Sequence, residues 1–449
     1  MKLIKFFYAL VLLLILTLAY NEIRSNIISN KKLDCYNCNV IIIDLTVFRA
    51  DHLAINGYFR NTTPNIDKFA TRSFYFKNAI SPSSWTLPSS ISLFTSMYSF
   101  EHGVKNNYVR SREGKVIRAN LKELNPGSVT MAEIFNKNGY STAAFTGDAH
   151  FNKTYGLNNG FYVYYDEIEF GGFEITIPLA LNWLEGHKTR KFFLFLQGYD
   201  THGRYKMSLN PSRVYIDKNY RGKYSGTWQE QIQLRDLSVN GSSLNLSNED
   251  KEFWISLYDT KLYDADQRLG TFFSQIEHLG ILNNTIIIIL GDHGEELFER
   301  GRIDHGFSLY EELLHVPLII SIPNLKNGRI IEQQVRTIDV MPTIIDLTKV
   351  NINDTAMKQM RGTSLVPIMG GQHLNLEAFS ETDYQNQFFE KSIRKSNGLK
   401  LIYSIGTNKK ELYNLNDDPK EKKDLIDKEP KIAYELEQEL FEHFYGNQK

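Results

Sequence analysis

The segment TIIIIL, Thr285 to Leu290, is followed directly by Gly291, Asp292, His293 and Gly294. An unbroken β-branched run bounded by glycine is typical of a strand that is buried on both faces, as strands of a parallel sheet are. In open α/β sheets the ligand crevice lies beyond the carboxyl ends of such strands. The sequence therefore predicts a parallel strand that presents Asp292 and His293 at the functional edge of a sheet.

The same pattern occurs twice more in the chain. Residues 40–43 form an apolar run that leads to polar residues, and so do residues 192–196. The polar residues that follow are Asp44, Thr46, Arg49 and Asp51 in the first case, and Asp200 and His202 in the second. One Asp-His pair after a strand is more often a loop cap, but three such strand ends in a parallel sheet would lie together. This favours a metal or acid/base site, and Asp oxygen with neutral His nitrogen suits a divalent cation such as Zn²⁺ or Mn²⁺.

The overall composition limits the possible classes of protein. A chain of 449 residues accommodates one large α/β domain with an appended subdomain, or two ordinary domains. Its formal net charge of -1 leaves no basic footprint, so nucleic acid is not an expected partner.

The N-terminus resembles an export signal. Lys2 and Lys5 precede an apolar run over residues 6–20, and a polar stretch follows over residues 21–32. Thr17-Leu18-Ala19 offers a cleavage site, whereas an uncleaved run would act as a signal anchor in the membrane. Both alternatives stay open, and in each the folded part is expected outside the cytoplasm.

Cys35 and Cys38 are the only cysteines and form a C-x-x-C motif ahead of the first predicted strand. Two thiols alone do not make a structural zinc site. In an exported protein a local disulfide is favoured over a redox role.

Further segments resemble the sulfatase family of the alkaline-phosphatase superfamily, from Asn39 nearly to the C-terminus. The matching segments are residues 49–53, 57–58, 62–67, 84–89, 92–95, 102–104, 138–143, 291–295, 305–306, 309–312, 316–318, 339–343, 411–415 and 417–419. The resemblance implies an α/β fold, in which an alkaline-phosphatase-like mixed sheet is sandwiched by helices and followed by a smaller C-terminal α+β subdomain. We expect a signal peptide or anchor at 1–20, a polar linker at 21–38, the catalytic domain at 39–370 and the subdomain at 371–449.

Hydrophobic periodicity adds two helices, over residues 131–138 and 258–278. Residues 206–250 are rich in Ser, Asn, Gly and Tyr, and we expect them to form a long surface excursion. Such an excursion is either a loop that sets specificity or a plain solvated insertion.

The resemblance places Thr86, two residues before Pro88, at the position of the family nucleophile. That nucleophile is usually a cysteine or serine oxidised to formylglycine, whereas oxidation of a threonine side chain would give a ketone. Superfamily members that transfer phosphoryl groups use an unmodified Thr or Ser, activated by a metal. Thr86 is therefore a candidate metal-bound alkoxide, and the alternative is that it caps the following helix.

The resemblance also shows departures in the expected ligand set. Thr46 stands where an Asp metal ligand is usual, and Asp44, two residues earlier, points to the same side of the strand. A neutral hydroxyl is a weaker ligand than a carboxylate for a hard cation. Ser90 and Gln197 stand where Arg or His are frequent.

Two histidines do match the family pattern, His202 and His305. The resemblance implies that they donate to a sulfate or phosphate oxygen or to the leaving group. The alternative for each is a hydrogen-bonded surface histidine.

The sequence thus predicts a sulfatase-like hydrolase of sulfate or phosphate esters, with a small-molecule, glycan or lipid ester as substrate. Its divalent metal ion, Ca²⁺, Mn²⁺ or Zn²⁺, would be held by Asp292 and His293 with Asp44 and Thr46. One alternative is a phosphoethanolamine-type transferase or phosphodiesterase that uses the threonine. The other is a catalytically silent family member that binds a polyanionic glycan or a partner protein.

Overall fold

The computed structural model describes residues 33–110, 114–203, 212–240 and 244–446. Within these ranges the strands are β1 (Asn39–Leu45), β2 (Phe74–Ile80), β3 (Tyr108–Arg110), β4 (Val116–Arg118), β5 (Ser141–Phe145), β6 (Val163–Tyr165), β7 (Phe192–Gly198), β8 (Thr285–Leu290), β9 (Glu296–Leu297), β10 (Ile303–Asp304), β11 (His315–Ser321), β12 (Arg329–Arg336), β13 (Ala378–Tyr384), β14 (Phe388–Arg394), β15 (Leu399–Ser404) and β16 (Lys409–Asn414). The α-helices span Pro64–Ala70, Thr86–Thr95, Ser99–His102, Leu121–Leu124, Met131–Lys137, Phe173–His187, Trp228–Val239, Asn248–His278, Glu311–Leu314, Val340–Thr348, Asp354–Gln359, Val366–Met369 and Pro430–Tyr445.

The main sheet has eight strands in the order β12-β2-β11-β8-β1-β7-β5-β6. β8, β1, β7, β5 and β6 run parallel to one another, whereas β11 is antiparallel to both β8 and β2. The predicted mixed α/β sheet is therefore confirmed, and β1, β7 and β8, the strands expected to end beside one another, are adjacent.

The register of these strands brings their carboxyl ends to one level. Asp44 in β1 pairs with Gln197 in β7 on one side and with Leu290 in β8 on the other. Residues just beyond Asp44 and Leu290 are consequently neighbours in space, although about 250 residues separate them in the chain. This alignment sets the position of the site described below.

Helices cover both faces of the sheet because its central strands are apolar on both sides. In β1, Val40 and Ile42 pack into one buried cluster while Ile41 and Ile43 pack into the other. The first cluster includes Ile91 and Phe94 from helix Thr86–Thr95 and residues of Met131–Lys137 and Val340–Thr348; the second includes residues of Asn248–His278. Each fully buried Ile or Phe contributes about 1.5–3 kcal/mol relative to exposure.

The C-terminal part contains a separate antiparallel sheet in the order β13-β14-β15-β16, with helix Pro430–Tyr445 packed against it. This is the smaller subdomain that the family resemblance implied. Its strand β13 contacts the main body, where Ser380 donates to the carbonyl of Ser81 and Glu381 to that of Pro82.

Two expectations about helices need correction. The long helix starts at Asn248 rather than at residue 258, with Ser247 as its N-cap. Residues 206–250 are not a loop throughout, because helix Trp228–Val239 lies within them. Thr227 and Glu230 form a capping box at its start, which is a helix signal present in the sequence.

The segment before β1 contains the predicted disulfide between Cys35 and Cys38. The apolar run at residues 6–20 lies outside the described residues. Across the part of the chain that the structure describes, no helix is long and apolar enough to cross a membrane.

We expect Gly147→Ala to be strongly destabilising, since a Cβ there would lie 1.7 Å from the backbone oxygen of Gly171. The two segments would have to separate, which costs on the order of several kcal/mol. The matched control is Gly186→Ala in helix Phe173–His187, where a Cβ meets nothing within 4 Å. That variant should be neutral or more stable by about 0.5–1 kcal/mol. Urea unfolding of both variants measures this, and equal stability would contradict the close approach of the two segments.

Candidate active site

Four polar side-chain atoms from three segments of the chain meet at the carboxyl ends of β1 and β8. Asp292 Oδ2 lies 3.1 Å from the Thr46 hydroxyl oxygen and 3.4 Å from His293 Nε2. The Thr86 hydroxyl oxygen lies 3.1 Å from His293 Nε2 and 3.5 Å from the Thr46 hydroxyl oxygen. The four separations close a ring, and all four residues are buried. We refer to Thr46, Thr86, Asp292 and His293 as the strand-end cluster.

The backbone beyond β1 turns sharply to bring Thr46 and Asp292 together. Val47 adopts a φ of 58°, which is rare for a β-branched residue. Its N–H donates to Asp292 Oδ1 at 3.1 Å, and its carbonyl accepts from the Tyr258 hydroxyl at 2.8 Å. The Thr201 hydroxyl, which follows β7, donates to the carbonyl of Thr46. Three strand ends and the long helix thus hold this turn in place.

The hydrogen bonds of His293 determine which of its ring nitrogens carries the proton. Nδ1 lies 2.8 Å from the carbonyl oxygen of Gly294, which can only accept, so Nδ1 is the protonated nitrogen. Burial, followed by the nearby charge of His305, lowers the pKa of His293 well below its ordinary value. The neutral ring therefore offers Nε2 as an acceptor to the hydroxyl of Thr86.

Thr86 is the first residue of helix Thr86–Thr95, and Trp85 occupies the N-cap position without a side-chain cap. The Thr86 hydroxyl lies against His293 and Thr46 and does not cap the helix, so the alternative interpretation of Thr86 as a helix cap is wrong. The unsatisfied backbone N–H groups and the positive end of the helix dipole lie at this terminus.

His305 is held by two carboxylates. Its Nδ1 lies 2.8 Å from Glu295 Oε1 and 3.0 Å from Asp304 Oδ1. Burial favours the neutral ring, but the charges of Asp304 and Glu295 outweigh it and raise the pKa of His305 to about 9. At neutral pH this ring is a cation. It is buried, so it is not the surface histidine of the alternative interpretation.

His202 lies next to His305, with ring centroids 4.8 Å apart, and stacks on Tyr199 at 4.2 Å. Burial and then the charges of His305 and His293 lower the pKa of His202 well below its ordinary value. His293 is also close, with its ring 4.5 Å from that of His305. The structure thus places the charged ring of His305 and the neutral ring of His202 next to the neutral ring of His293 in the strand-end cluster.

Unpartnered carboxylate oxygens lie beside the cluster. Asp44 is fully buried, and neither of its carboxylate oxygens has a hydrogen-bond partner among the described residues. Burial, then the charges of Asp292 and Asp148, raises the pKa of Asp44 well above its usual range. Asp148 is also buried, and its Oδ2 has no partner in the described part of the chain. Burial and the charge of Asp148 raise the pKa of Asp292 to about 7.

These features fit a divalent cation. The atoms of the strand-end cluster are 3.1–3.5 Å from their neighbours around the ring. The edge of a tetrahedron with metal–ligand bonds of about 2.0–2.1 Å is about 3.3–3.4 Å. The unpartnered oxygens of Asp44 supply negative charge that a cation would balance. A second group of possible ligands, Glu295 with Asp304 and His305, is already joined by the short hydrogen bonds of His305.

The C-terminal subdomain supports two loops of the site. Thr382 in β13 donates to the carbonyl of Gly306 at 2.8 Å, beside His305. Tyr384 in the same strand contacts the ring of Trp85, which precedes Thr86. The loop that starts the helix and the loop that carries His305 are therefore held by one strand.

Several polar residues that follow the predicted strands form hydrogen bonds or ion pairs outside the strand-end cluster. Asp200 accepts from the backbone N–H of Phe173 at 2.7 Å and pairs with Arg268 at 3.1 Å. Arg49 and Asp51 form a bidentate ion pair with each other. These residues build the scaffold around the site and do not line it. Gln197 accepts from the N–H of Gly147, and Ser90 is buried with no partner for its hydroxyl in the described residues.

The sequence analysis did not identify Asp148 and His150 as candidate site residues. His150 Nδ1 lies 3.2 Å from Asp148 Oδ1, and its ring packs edge-on against Trp85 at 5.6 Å. Both residues follow the apolar strand β5 just as Asp292 and His293 follow β8. The strand-end pattern applied to residues 141–150 would have found them.

The large mixed sheet flanked by helices and the C-terminal antiparallel sheet are like those of solved sulfatase structures, of the alkaline-phosphatase-like superfamily. The family profile described as Sulfatase matches residues 38–350, and a second profile, the C-terminal domain of N-sulphoglucosamine sulphohydrolase, matches residues 299–446. The chain belongs to the sulfatase family.

Individual relatives are distant. An arylsulfatase of Clostridium perfringens is 22% identical, over 87% of this chain and 90% of its own. A solved 2-O GAG sulfatase has a TM-score of 0.73 at 19% identity, covering 92% of this chain and 93% of its own. The phosphonate monoester hydrolase of Agrobacterium radiobacter has a TM-score of 0.70 at 18% identity, covering 90% and 95%. At these identities the two structures show the fold alone.

We expect Asp44→Asn to stabilise the metal-free protein in a pH-dependent way. Asp44 has a higher pKa in the folded than in the unfolded state, so ionisation penalises folding as pH rises above the unfolded value. The advantage of the variant should be near zero at about pH 4 and grow by about 1.4 kcal/mol per pH unit up to the folded pKa. Denaturant unfolding in EDTA across this range measures it. The exposed control Asp236→Asn should show no such trend, and a flat difference for Asp44→Asn would contradict the unpartnered carboxylate.

Proposed function

We propose that this protein cleaves phosphate or sulfate esters with Thr86 as the nucleophile, assisted by a divalent cation at Asp292 and His293 with Thr46 and Asp44. The observation that carries the proposal is the position of the Thr86 hydroxyl. It lies at the N-terminus of a helix, 3.1 Å from the acceptor nitrogen of His293 and 3.5 Å from the Thr46 hydroxyl oxygen. Family membership supports the hydrolase class.

The residues of the site divide the work of the reaction. Thr86 Oγ1 releases its proton to solvent and forms a bond to phosphorus or sulfur as the bond to the leaving oxygen breaks. His305, kept cationic by Glu295 and Asp304, gives a proton to the leaving oxygen, and the neutral His202 stabilises the same side of the transferring group by a hydrogen bond. A bound divalent cation would lower the pKa of the Thr86 hydroxyl and offset charge on the transferring group. Water then attacks the ester of Thr86 and restores the hydroxyl.

Threonine favours phosphate over sulfate. A formylglycine hydrate can expel sulfate by collapse to the aldehyde, but a threonine ester has no second hydroxyl on the same carbon. A sulfo-threonine would require direct attack by water, whereas a threonine hydroxyl whose pKa a bound cation would lower is suited to phosphoryl transfer. We therefore propose a phosphomonoester or phosphodiester as the preferred substrate, although sulfatases dominate the relatives. A glycan ester is the substrate class that the GAG sulfatase neighbour supports.

Two other functions remain as outcomes of the experiments. A transferase would pass the group from Thr86 to an alcohol instead of water. A silent binder of a polyanionic glycan is favoured by Thr46, Ser90 and Gln197, which stand where the family has charged or imidazole side chains. It would bind without turnover.

The purified protein should bind about one divalent ion per chain after dialysis against Mn²⁺, Ca²⁺ or Zn²⁺. Asp292→Ala and His293→Ala should reduce binding at least tenfold, because each removes a donor from the strand-end cluster. Metal analysis and isothermal titration measure this, with Asp236→Ala as the exposed control. A wild type that stays metal-free after all three dialyses would exclude the cation from the proposal.

Thr86→Ala should lower kcat/KM for p-nitrophenyl phosphate by about 10³–10⁴-fold, since each 1.4 kcal/mol of lost transition-state stabilisation is tenfold in rate. Thr86→Ser keeps the hydroxyl and should retain more activity than Thr86→Ala. The proteins are produced in a host without the formylglycine-generating enzyme, and p-nitrophenyl phosphate, a phosphodiester and p-nitrophenyl sulfate are compared. Preferred sulfate turnover that persists in Thr86→Ala would reject the alkoxide mechanism, and no turnover of any ester would favour the silent binder.

We also propose that the site lies outside the cytoplasm. The basic and apolar N-terminal residues 2–20 and the disulfide between Cys35 and Cys38 support export. Protease added to intact cells or spheroplasts should then cleave the protein. Full protection together with reduced cysteines would contradict this location.

A further inference from the structure

Asp148 is a buried aspartate that uses only one of its two carboxylate oxygens within the described residues. Its side chain is 1% exposed. Oδ1 accepts the backbone N–H of His150 at 2.8 Å and lies 3.2 Å from Nδ1 of the same residue. Oδ2 has no hydrogen-bond partner in the described part of the chain. Buried carboxylate oxygens are costly without a donor or a cation, so Oδ2 is a candidate ligand atom.

One hydrogen bond connects the loop of Asp148 to the strands that end at the site. Gly147, the preceding residue, donates its N–H to Gln197 Oε1 at 2.9 Å. Gln197 in turn pairs with Asp44 across β7 and β1. Burial, then the charge of Asp292 and then that of Asp148, raises the pKa of Asp44. The carboxylate of Asp148 therefore lies within electrostatic reach of the unpartnered oxygens of Asp44.

A second contact connects the same loop to the helix that presents the nucleophile. His150, which Asp148 orients through Oδ1, packs edge-on against Trp85 with the ring centroids 5.6 Å apart. Trp85 is the N-cap residue of helix Thr86–Thr95. The loop of Asp148 is thus held on one side by β7 and on the other by the residue that precedes Thr86.

The strand-end cluster by itself offers little negative charge to a divalent cation. Only Asp292 among its four members has a carboxylate, and the others offer two hydroxyls and a neutral imidazole. Hard divalent cations prefer carboxylate oxygens. Burial and then the charge of Asp148 raise the pKa of Asp292 to about 7, so these two carboxylates repel each other. A cation bound by both would replace this repulsion with attraction.

We propose that Asp148 is a further ligand of the divalent cation and supplies, through Oδ2, the carboxylate that Thr46 does not provide. This rests on the proposed function, which puts the cation at Asp292 and His293. The two oxygens of Asp148 then have different roles, since Oδ1 orients His150 and Oδ2 holds the metal. The ligands accordingly come from the ends of three strands, β1, β5 and β8.

Binding of Mn²⁺ alone tests this ligand without requiring turnover. Isothermal titration of protein stripped with EDTA should show that Asp148→Asn weakens the Kd by about tenfold or more, because affinity follows the charge of the ligands. Asp148→Ser removes the same charge with a smaller side chain and should weaken the Kd as well. Asp148→Glu keeps a carboxylate and should recover part of the affinity. The control Asp236→Asn removes a carboxylate that is 55% exposed and should leave the Kd unchanged.

The same substitution should have the opposite effect on the metal-free protein. Asp148→Asn keeps an oxygen that accepts the N–H of His150 but removes a negative charge near Asp44 and Asp292. In EDTA at pH 8 the variant should therefore unfold at a higher urea concentration than wild type, whereas added Mn²⁺ should stabilise it less than wild type. A residue with a purely structural role would lose stability in both conditions.

Three results would overturn the proposal. These are equal Mn²⁺ affinity of wild type and Asp148→Asn, a wild type that binds no cation, and a loss of stability in Asp148→Asn both with and without Mn²⁺. Failure of the proposed function gives a different result. Weaker Mn²⁺ binding in Asp148→Asn without turnover of any ester rejects catalysis and keeps the ligand, whereas unchanged binding with turnover that requires Thr86 rejects the ligand and keeps the function.

Discussion

The carboxylate of Asp292 joins the parts on which the site depends. One oxygen accepts the backbone N–H groups of Val47 and His293, and the other accepts the Thr46 hydroxyl. Those donors lie beyond two neighbouring strands, β1 and β8, so one side chain ties together both strand ends. Its loss would leave two buried N–H groups unsatisfied and would release the left-handed turn at Val47. The positions of Thr86 and His293 therefore depend on Asp292, which is itself a member of the strand-end cluster.

The electrostatics of the site follow from the close approach of several ionisable side chains in a buried space. Burial and then the charges of Asp292 and Asp148 raise the pKa of Asp44, and burial and then the charge of Asp148 raise that of Asp292, while two further carboxylates keep His305 charged. Burying several like charges without partners is expensive, and a cation is the simplest group that balances them. Although position 46 holds a threonine in place of the usual Asp, carboxylates are still present, because Asp44 and Asp148 lie nearby with unpartnered oxygens. The departures from the family pattern therefore change the expected ligand set and leave unpartnered carboxylate oxygens beside the strand-end cluster.

The smaller C-terminal subdomain contributes to the site by support rather than by chemistry. Strand β13 donates to the carbonyls of Ser81 and Gly306, which lie in the loops that lead to Thr86 and from His305. Tyr384 packs against Trp85 from the same strand. Such outer contacts fix the rotamers and loop positions on which short hydrogen bonds between catalytic groups depend. The subdomain and the catalytic sheet are therefore parts of one functional unit.

The sequence alone determined the buried strand Thr285–Leu290, its parallel neighbours β1 and β7, and the family, because apolar runs and short motifs are local signals. It also predicted Thr46, Thr86, Asp292 and His293 as site residues, and the structure brings their side chains together. It did not reveal helix Trp228–Val239, although its capping box was present, since the surrounding polar composition resembles a loop. Strand ends predicted for the site also carried Asp200 and Asp51, and only the tertiary structure showed that both pair with arginines instead. The tertiary structure also placed Asp148 near Asp44 and His202 beside His305. Those contacts join residues from different strand ends, and their existence depends on the order and register of the strands, which local sequence patterns do not encode.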